Sequence, residues 1–437
     1  MNARLIATGV ICACLALSAA TATGKTARTA SPNAPQATTL TVWLQEDARD
    51  NWGSVVNAAN QSFEQAHPGV NVNVQYQTWN QHLAKFDATI AANNVPDVIE
   101  LGNTEMTKYM DAGAFWDITS QKASIPNSRT WLKGLEDSAR LRGKLYGVPY
   151  YAGARAVIYR KDMYRAAGVR KVPTSLSAFE AASGRLMRKY GKDQRFSALY
   201  FPGQYWLASM SFVYDYGGAI ARFKNGKWVG TLDSPLAIRA LTRLKSIVRT
   251  YSRASKTGDE ANPFQAVVFG QGKVGSIIGN GWEWGLALDK AKYSSKLKES
   301  QLGAYPMPSR VKGKFMPTFL GGSDLAIPAQ SGNRSLALDW IRTFTNTSSM
   351  TQLATQGKVI PNTTSLLRLH ANSPSLAPFA RAAQSSWFVP SAKNWVNVEN
   401  SRVIRTMLVR IFSGRHSIKS ETQKASRQIT TILNASS

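Results

Sequence analysis

Aromatic rings and hydrogen-bonding side chains meet at several short stretches of this chain. Gly279-Asn280-Gly281-Trp282-Glu283-Trp284 sets two indoles around a carboxylate, Gln204-Tyr205-Trp206 sets two rings after an amide, and Tyr150-Tyr151 follows Pro149. Gln45-Glu46-Asp47, Gly102-Asn103-Thr104-Glu105 and Gly321-Gly322-Ser323-Asp324 add amides, carboxylates, hydroxyls and glycine backbone. Flat rings give large apolar contact without forbidding polar neighbours, and amide or carboxylate groups make two hydrogen bonds each. The combination suits a guest that carries many hydroxyls and also apolar C–H faces.

Covalent chemistry finds less support. Glycoside hydrolysis needs two carboxylates across a bond; Glu46, Glu105 and Glu283 nominally supply them, but no motif fixes their geometry. The four histidines (His67, His82, His370, His416) are scattered, without a His-Glu-x-x-His pair, and His67 beside Pro68-Gly69 reads as a loop residue. There is no Gly-x-Ser-x-Gly elbow and no phosphate-binding glycine loop. No metal and no cofactor are expected.

The elements that position these stretches follow from periodicity. Leu40, Val42 and Leu44 alternate as in a strand, and Trp52, Val55, Val56, Ala59 and Phe63 share one helical stripe that ends before Pro68-Gly69. Val70, Val72 and Val74 predict a second strand, residues 80–93 a helix, and Asp97–Leu101 a third strand. Such a βαβαβ run is the pattern of an open parallel sheet, which binds ligands at the carboxyl ends of its strands. The loops Gln45–Asp47 and Gly102–Glu105 stand at those ends. Further on, Pro173-Thr174-Ser175 caps a helix, and Ser234-Pro235 opens another with Leu236, Ala240, Leu241, Leu244 and Ile247 on one face. Val274–Ile278 predicts a buried strand leading into the Trp282 turn, and Gly321–Asp324 precedes a strand over Leu325–Ile327. No repeat of fixed period is visible.

The chain is 437 residues long, 43% hydrophobic and 10% aromatic, which suits about two folded domains. Arg4 precedes an apolar run from Leu5 to Ala20 and a small-residue site at Ala20-Thr21-Ala22, the pattern of a secretory signal peptide over 1–22; residues 23–37 read as a flexible spacer. Ile11-Cys12-Ala13-Cys14 has the outline of a lipoprotein processing site, which would leave Cys14 lipidated. The apolar Leu15-Ala16-Leu17 after it favours cleavage near Ala22, leaving a mature chain without cysteine and so without disulfides or a thiol nucleophile. The net charge of +27 is spread without long runs, which argues against nucleic acid. It fits an anionic cell wall or membrane surface, or an acidic habitat.

Read in order, several motifs resemble the extracellular solute-binding proteins of carbohydrate ABC transporters (family 1, the maltose-binding type). They are Leu40-Thr41-Val42-Trp43, Pro96 to Asn103, Tyr109 to Thr119, Gly143 to Tyr151 with Tyr159-Arg160-Lys161-Asp162, Phe269 to Gly275, the Trp282 turn, Ala304 to Pro308 and Gly321-Gly322-Ser323. The resemblance covers nearly the whole mature chain. It implies an α/β, two-lobed periplasmic-binding-protein-like fold of type II, with a hinge crossed more than once near Val148-Pro149 and Tyr305-Pro306. Lobe one would take 38–150 and 305–345, lobe two 151–304 and 346–437. A non-catalytic monomer is implied, holding a mono- or oligosaccharide between the lobes and delivering it to permease subunits. A peptide or other solute on the same fold, or a secreted carbohydrate-active enzyme, are the rival readings. The resemblance puts the sugar-stacking indole at Trp282, and Trp284, two residues on, is a second candidate, with only one of the pair expected to face the cleft if the segment is extended. Gln45, Glu46, Asn103, Glu105, Ser323 and Asp324 would meet hydroxyls, Gly322 would offer backbone N–H, one of Tyr150 and Tyr151 would touch ligand at the hinge, and Trp206 is a further candidate.

Overall fold

The computed structural model describes residues 37–79 and 81–435. The expected leader, both cysteines and the spacer up to residue 36 lie outside the described residues. The chain opens with β1 (Thr38–Gln45), α1 (Glu46–Ala66), β2 (Val70–Gln77), α2 (His82–Ala91) and β3 (Val98–Gly102). β1 pairs in parallel with β2 along its whole length and with β3 at Val42–Val98 and Trp43–Ile99. Leu40, Val42 and Leu44 face the core closed by Trp52, Val55, Val56 and Phe63 of α1, the predicted stripe. Trp43, Ile99 and Leu101 face a second cluster with Phe86, Tyr109 and Phe115. β1 lies inside the sheet with a cluster on each face, which is why Trp43 is buried despite its place in the alternation.

One expectation changes here. Glu46 is the first residue of α1, so no loop separates strand from helix; Gln45 is strand and 1% exposed, and Glu46 and Asp47 lie in the first helical turn, where the helix dipole favours carboxylates. The helix bends at Trp52, whose φ of −147° and ψ of 34° are not helical.

β4 (Gly147–Gly153) is buried throughout, and β5 (Ala156–Arg160) follows after two residues. Then come α3 (Leu176–Tyr190), α4 (Trp206–Asp215), the hairpin β6 (Ala221–Lys224) and β7 (Lys227–Gly230), and α5 (Pro235–Tyr251). Ser175 and Ser234 cap α3 and α5 as predicted, accepting from the N–H of Ala178 at 3.2 Å and of Ala237 at 3.3 Å. Leu236, expected on the buried face of α5, is 37% exposed; Ala237 takes its place, in step with Ala240, Leu241 and Leu244. β8 (Ser276–Gly279), α6 (Gly281–Leu288), β9 (Leu302–Tyr305), β10 (Gly321–Ala326), α7 (Arg334–Phe344), α8 (Thr347–Thr355) and β11 (Ile360–Pro361) continue the chain, and α9 (Trp395–Asn400), α10 (Val403–Ser413) and α11 (Ile418–Leu433) end it.

Among the described residues, the strands gather into a six-stranded sheet, in the order β11-β4-β10-β3-β1-β2, and a three-stranded sheet, β8-β5-β9, besides small two-stranded pairs. β10 runs antiparallel to both β3 and β4, so the first sheet is mixed rather than wholly parallel. Gly321–Asp324 is part of that strand, not a turn before it. Each sheet has its own core. Leu40, Val148, Leu325, Trp340 and Leu353 belong to the first, and Val157, Phe179, Leu241, Met307, Phe319 and Leu408 to the second. The chain therefore changes sheets at Ala154–Arg155, at Leu320, and again between 366 and 386. The crossings expected at Val148-Pro149 and Tyr305-Pro306 are displaced, because Val148 pairs with Leu325 inside the first sheet and Tyr305 pairs with Val157 inside the second. Residues 346–361, expected with the second lobe, instead join the first: Met350 and Leu353 of α8 enter its core and β11 pairs with β4.

Candidate ligand-binding cleft

A cavity of about 450 Å³ opens between the two halves. Trp79, Leu83 and Glu105 wall it from the first-sheet side; Trp206, Asp259, Glu399, Arg402 and Arg405 wall it from the other. A second cavity of about 240 Å³ is bounded by Asn103, Thr104, Ser138, Leu320, Trp387 and Phe388. The loop after β3 separates the two, with Glu105 on one side and Asn103 on the other, so they form neighbouring compartments of one cleft.

The first wall is built after the carboxyl ends of β2 and β3, as the topology requires. Trp79, 39% exposed, donates from Nε1 to Asp47 Oδ2 at 2.5 Å and stands edge-on to the His82 ring. Burial raises the Asp47 pKa, and this hydrogen bond holds the rise back. His82 is buried, and oxygen faces both ring nitrogens: the Trp79 carbonyl lies 3.0 Å from Nδ1 and Glu105 Oε2 lies 2.9 Å from Nε2. A neutral imidazole carries one N–H, so two acceptors call for the imidazolium. Burial opposes that charge, but Glu105 and the Trp79 carbonyl keep the His82 pKa above its ordinary value. Glu105 Oε2 also accepts the Gly102 N–H at 2.8 Å.

The opposite wall is aromatic. Trp206, 6% exposed at the start of α4, packs with Phe319, Trp387 and Trp395 at ring separations of 6.1 to 6.5 Å. Trp395 donates to Glu399. Burial pushes the Glu399 carboxyl up to about 7, against the hydrogen bonds from Trp395 and Thr104, and Glu105 adds to the rise from the other half. Two carboxylates thus face each other across the cleft. Arg402 donates to Gln204 Oε1 at 2.5 Å, and Arg405 lies 4.0 Å from Glu260.

Beneath the cleft is a buried polar floor. The Gln45 N–H donates to Glu100 Oε2 at 2.8 Å, and burial raises Glu100 to about 7. Asp324, with no exposure, accepts the Ser138 hydroxyl at 2.9 Å, and burial raises it to about 8. Ser323 is equally buried beside Glu100 and Tyr151.

The residues singled out from the sequence therefore divide. Glu105 and Trp206 line the larger cavity and Asn103 the smaller. Asn103 is also fixed by its N–H to the Gly322 carbonyl and its Nδ2 to the Leu320 carbonyl, both at 3.0 Å. Gln45, Ser323 and Asp324 are floor, sealed from solvent. Neither Tyr150 nor Tyr151 points outward: they are 0% and 5% exposed, packed edge-on to Trp52, with the Tyr150 hydroxyl accepting from Trp52 Nε1 at 2.5 Å. Gly322 pairs with Ala152 within the sheet at a φ of 147°, so its role is steric. Glu46 is partly exposed beside Arg49, 3.9 Å away.

Trp282 and Trp284 are helical rather than extended. Asn280 and Glu283 form a capping box at the start of α6, in which Glu283 accepts the Asn280 N–H at 2.8 Å. Trp284 falls inward, 4% exposed, among Ile158, Phe269 and Ile277. Trp282 is half-buried over the end of β4, where a Cβ on Gly153 would come within 2.7 Å of its ring, and it packs on the first core although α6 belongs to the second half. The ring thus bridges the halves beside the first crossing. Trp79, His82, Glu399, Arg402 and Arg405 were not singled out; of these only Trp79 carried a signal, two residues past the end of β2.

Residues 58–377 match the family model of bacterial extracellular solute-binding proteins. The chain is 30% identical to the diacetylchitobiose binding protein DasA of Streptomyces coelicolor over 86% of each chain. It is 24% identical to the maltodextrin-binding protein MdxE of Bacillus subtilis over 58% of each. Among solved structures, the GacH receptor of Streptomyces glaucescens superposes with a TM-score of 0.77 at 22% identity, covering 92% of this chain and all of that one. The maltose-bound MalE3 of T. maritima gives 0.75 at 18% identity, covering 91% and 99%.

Proposed function

Because the chain belongs to the family of bacterial extracellular solute-binding proteins, we propose that it captures a sugar, an oligosaccharide rather than a single ring, and presents it to the permease of an ABC importer. The observation that carries this reading is the pair of compartments between the halves. Their volumes of about 450 and 240 Å³ together exceed what one ring needs, and the larger alone falls in the range of small-molecule sites. Their walls pair indoles with carboxylates and guanidinium groups, the chemistry that C–H faces and hydroxyls require.

In this reading lobe one comprises 38–153 and 321–366 and lobe two comprises 154–320 and 367–437. Trp79, Glu105 and Asn103 meet the guest from lobe one, and Trp206, Glu399, Arg402 and Arg405 from lobe two. Closure about the crossings at 154–155 and 320 brings them together, and only contacts made in the closed state shift that balance. Trp282, bridging the halves, senses closure. Gln45, Tyr150, Tyr151, Ser323 and Asp324 shape the floor.

The relatives named for diacetylchitobiose and maltodextrin set the first ligands to try. We read the chain as a receptor without turnover, because its candidate acids have other duties: Glu283 caps α6, and Glu105 holds His82 and the Gly102 N–H. The family is extracytoplasmic, and among the described residues no helix is long and apolar enough to cross a membrane; attachment through Cys14 or free secretion as a monomer completes the proposal. A thermal-shift panel of chito-, malto- and cello-oligosaccharides is the test. A rise in Tm that saturates with one series, with longer members binding tighter, is expected. No shift with any sugar, or sustained release from chromogenic glycosides, refutes it.

A further inference from the structure

Over residues 38–437 the excess positive charge is confined to one half. Residues 38–153 and 321–366 carry 12 basic and 14 acidic side chains, whereas 154–320 and 367–437 carry 38 basic and 12 acidic. Adaptation of the whole protein to its medium would charge both halves. The same half also carries the exposed apolar side chains: of the large ones exposed among the described residues, all but Trp79 lie there.

Four of these seven fall on three segments that are linked to one another. On one edge, Val172 is 43% exposed beside Lys171 and Arg170. A loop from Arg310 to Phe315 exposes Val311 (47%) and Phe315 (37%) among Lys312 and Lys314. The β6–β7 hairpin exposes Phe223 (60%) between Arg222 and Lys224, with Lys227 at its turn. Hydrogen bonds tie the three segments into one strip, the hairpin and the loop being joined through the chain at Asp215–Gly217. The Gly313 N–H donates to the Thr174 carbonyl at 3.1 Å, the Arg310 N–H donates to Asp215 Oδ2 at 2.9 Å, and Arg222 donates to the Gly217 carbonyl at 3.3 Å. Asp215, the carboxylate within the strip, is taken up by Arg310 and by the Ser309 hydroxyl at 2.5 Å.

We propose that this strip of Val172, the 310–315 loop and the β6–β7 hairpin docks the protein on an anionic phospholipid bilayer, with Phe223, Val311 and Phe315 entering the headgroup boundary and the surrounding lysines and arginines meeting lipid phosphates. Charge alone fits any polyanion, but a strip of apolar side chains held out among the charges gains further where acyl chains receive it. A soluble phosphate polymer or a nucleic acid has no use for Val311. Such docking holds the receptor at the plane of the membrane without a spanning helix, and it stands independently of which solute the cleft takes.

The test is co-sedimentation of the full chain and its variants with vesicles of phosphatidylglycerol and phosphatidylcholine, against phosphatidylcholine alone, at about 0.15 M salt. The parent is expected on the anionic vesicles only. Lys312→Ala/Lys314→Ala should bind about 25-fold more weakly, at about five-fold per charge lost near an anionic surface. Phe223→Ser should cost about ten-fold for the lost ring. An unchanged circular dichroism spectrum and Tm show that the fold survives. Equal binding by parent and variants, binding that does not need phosphatidylglycerol, or no binding at all overturns the proposal. So does capture by soluble polyphosphate coupled with vesicle binding indifferent to Phe223→Ser, which would assign the face to a polymer.

Discussion

Removing the Trp79 indole tests the cleft with little risk to the fold. The ring is 39% exposed, whereas Trp206, Trp387 and Trp395 are each at most 6% exposed and help hold the second core. A Trp side chain presents up to about 250 Å², so about 100 Å² of this one is open to a guest. At about 25 cal/mol per Å², covering all of it yields about 2.5 kcal/mol, and covering one face about 1 kcal/mol. Trp79→Ala should therefore raise the sugar Kd about 5- to 70-fold. Trp79→Phe separates two contributions, since it keeps a ring but frees Asp47 from the indole N–H; it should recover most of the loss if stacking dominates. Isothermal titration calorimetry on a sugar the parent binds is the assay, with Tm as the check on folding. A Kd within two-fold of the parent for Trp79→Ala, at unchanged Tm, would mean that the guest does not lie against this wall.

Two further outcomes follow from the floor of the cleft. Asp324 is raised to about 8 in the folded chain against an ordinary value near 3.8, so between those pH values the folded state holds a proton that the unfolded state lacks; stability falls as pH rises through that window. Asp324→Asn should thus gain on the parent by on the order of 3 kcal/mol between pH 5 and pH 8, and parallel pH profiles of denaturant stability would contradict the assignment. Gly322 has a φ of 147°, and a Cβ there would collide with the Tyr151 carbonyl oxygen; Gly322→Ala should cost about 3 kcal/mol or more, and a parental urea midpoint would show that the strand adapts.

Local order was legible from residue spacing. The apolar periods of β1, α1 and β2 and the serine caps of α3 and α5 depend on neighbours within a few positions, and all appear where the pattern predicts. The loop after β3 was found from topology alone, because ligand sites follow the carboxyl ends of parallel strands. Where spacing erred, a longer-range contact had intervened. Tyr150 and Tyr151 read as hinge residues of which one would touch ligand, but Trp52, about a hundred positions earlier, closes over both. Gly321, Gly322 and Ser323 read as a turn, yet pairing with β4 and β3 makes a strand of 321–326.

The composition of the cleft was beyond any local pattern. Glu399 faces Thr104 and Glu105 from nearly three hundred residues away, and His82 at the start of α2 pairs with Glu105 beyond β3. The sign and period of each segment are properties of adjacent residues, so one chain suffices to state them. Which side chains share a wall depends on where the backbone crosses between sheets, at 154–155 and 320, and those crossings are set by hydrogen-bond register between distant strands.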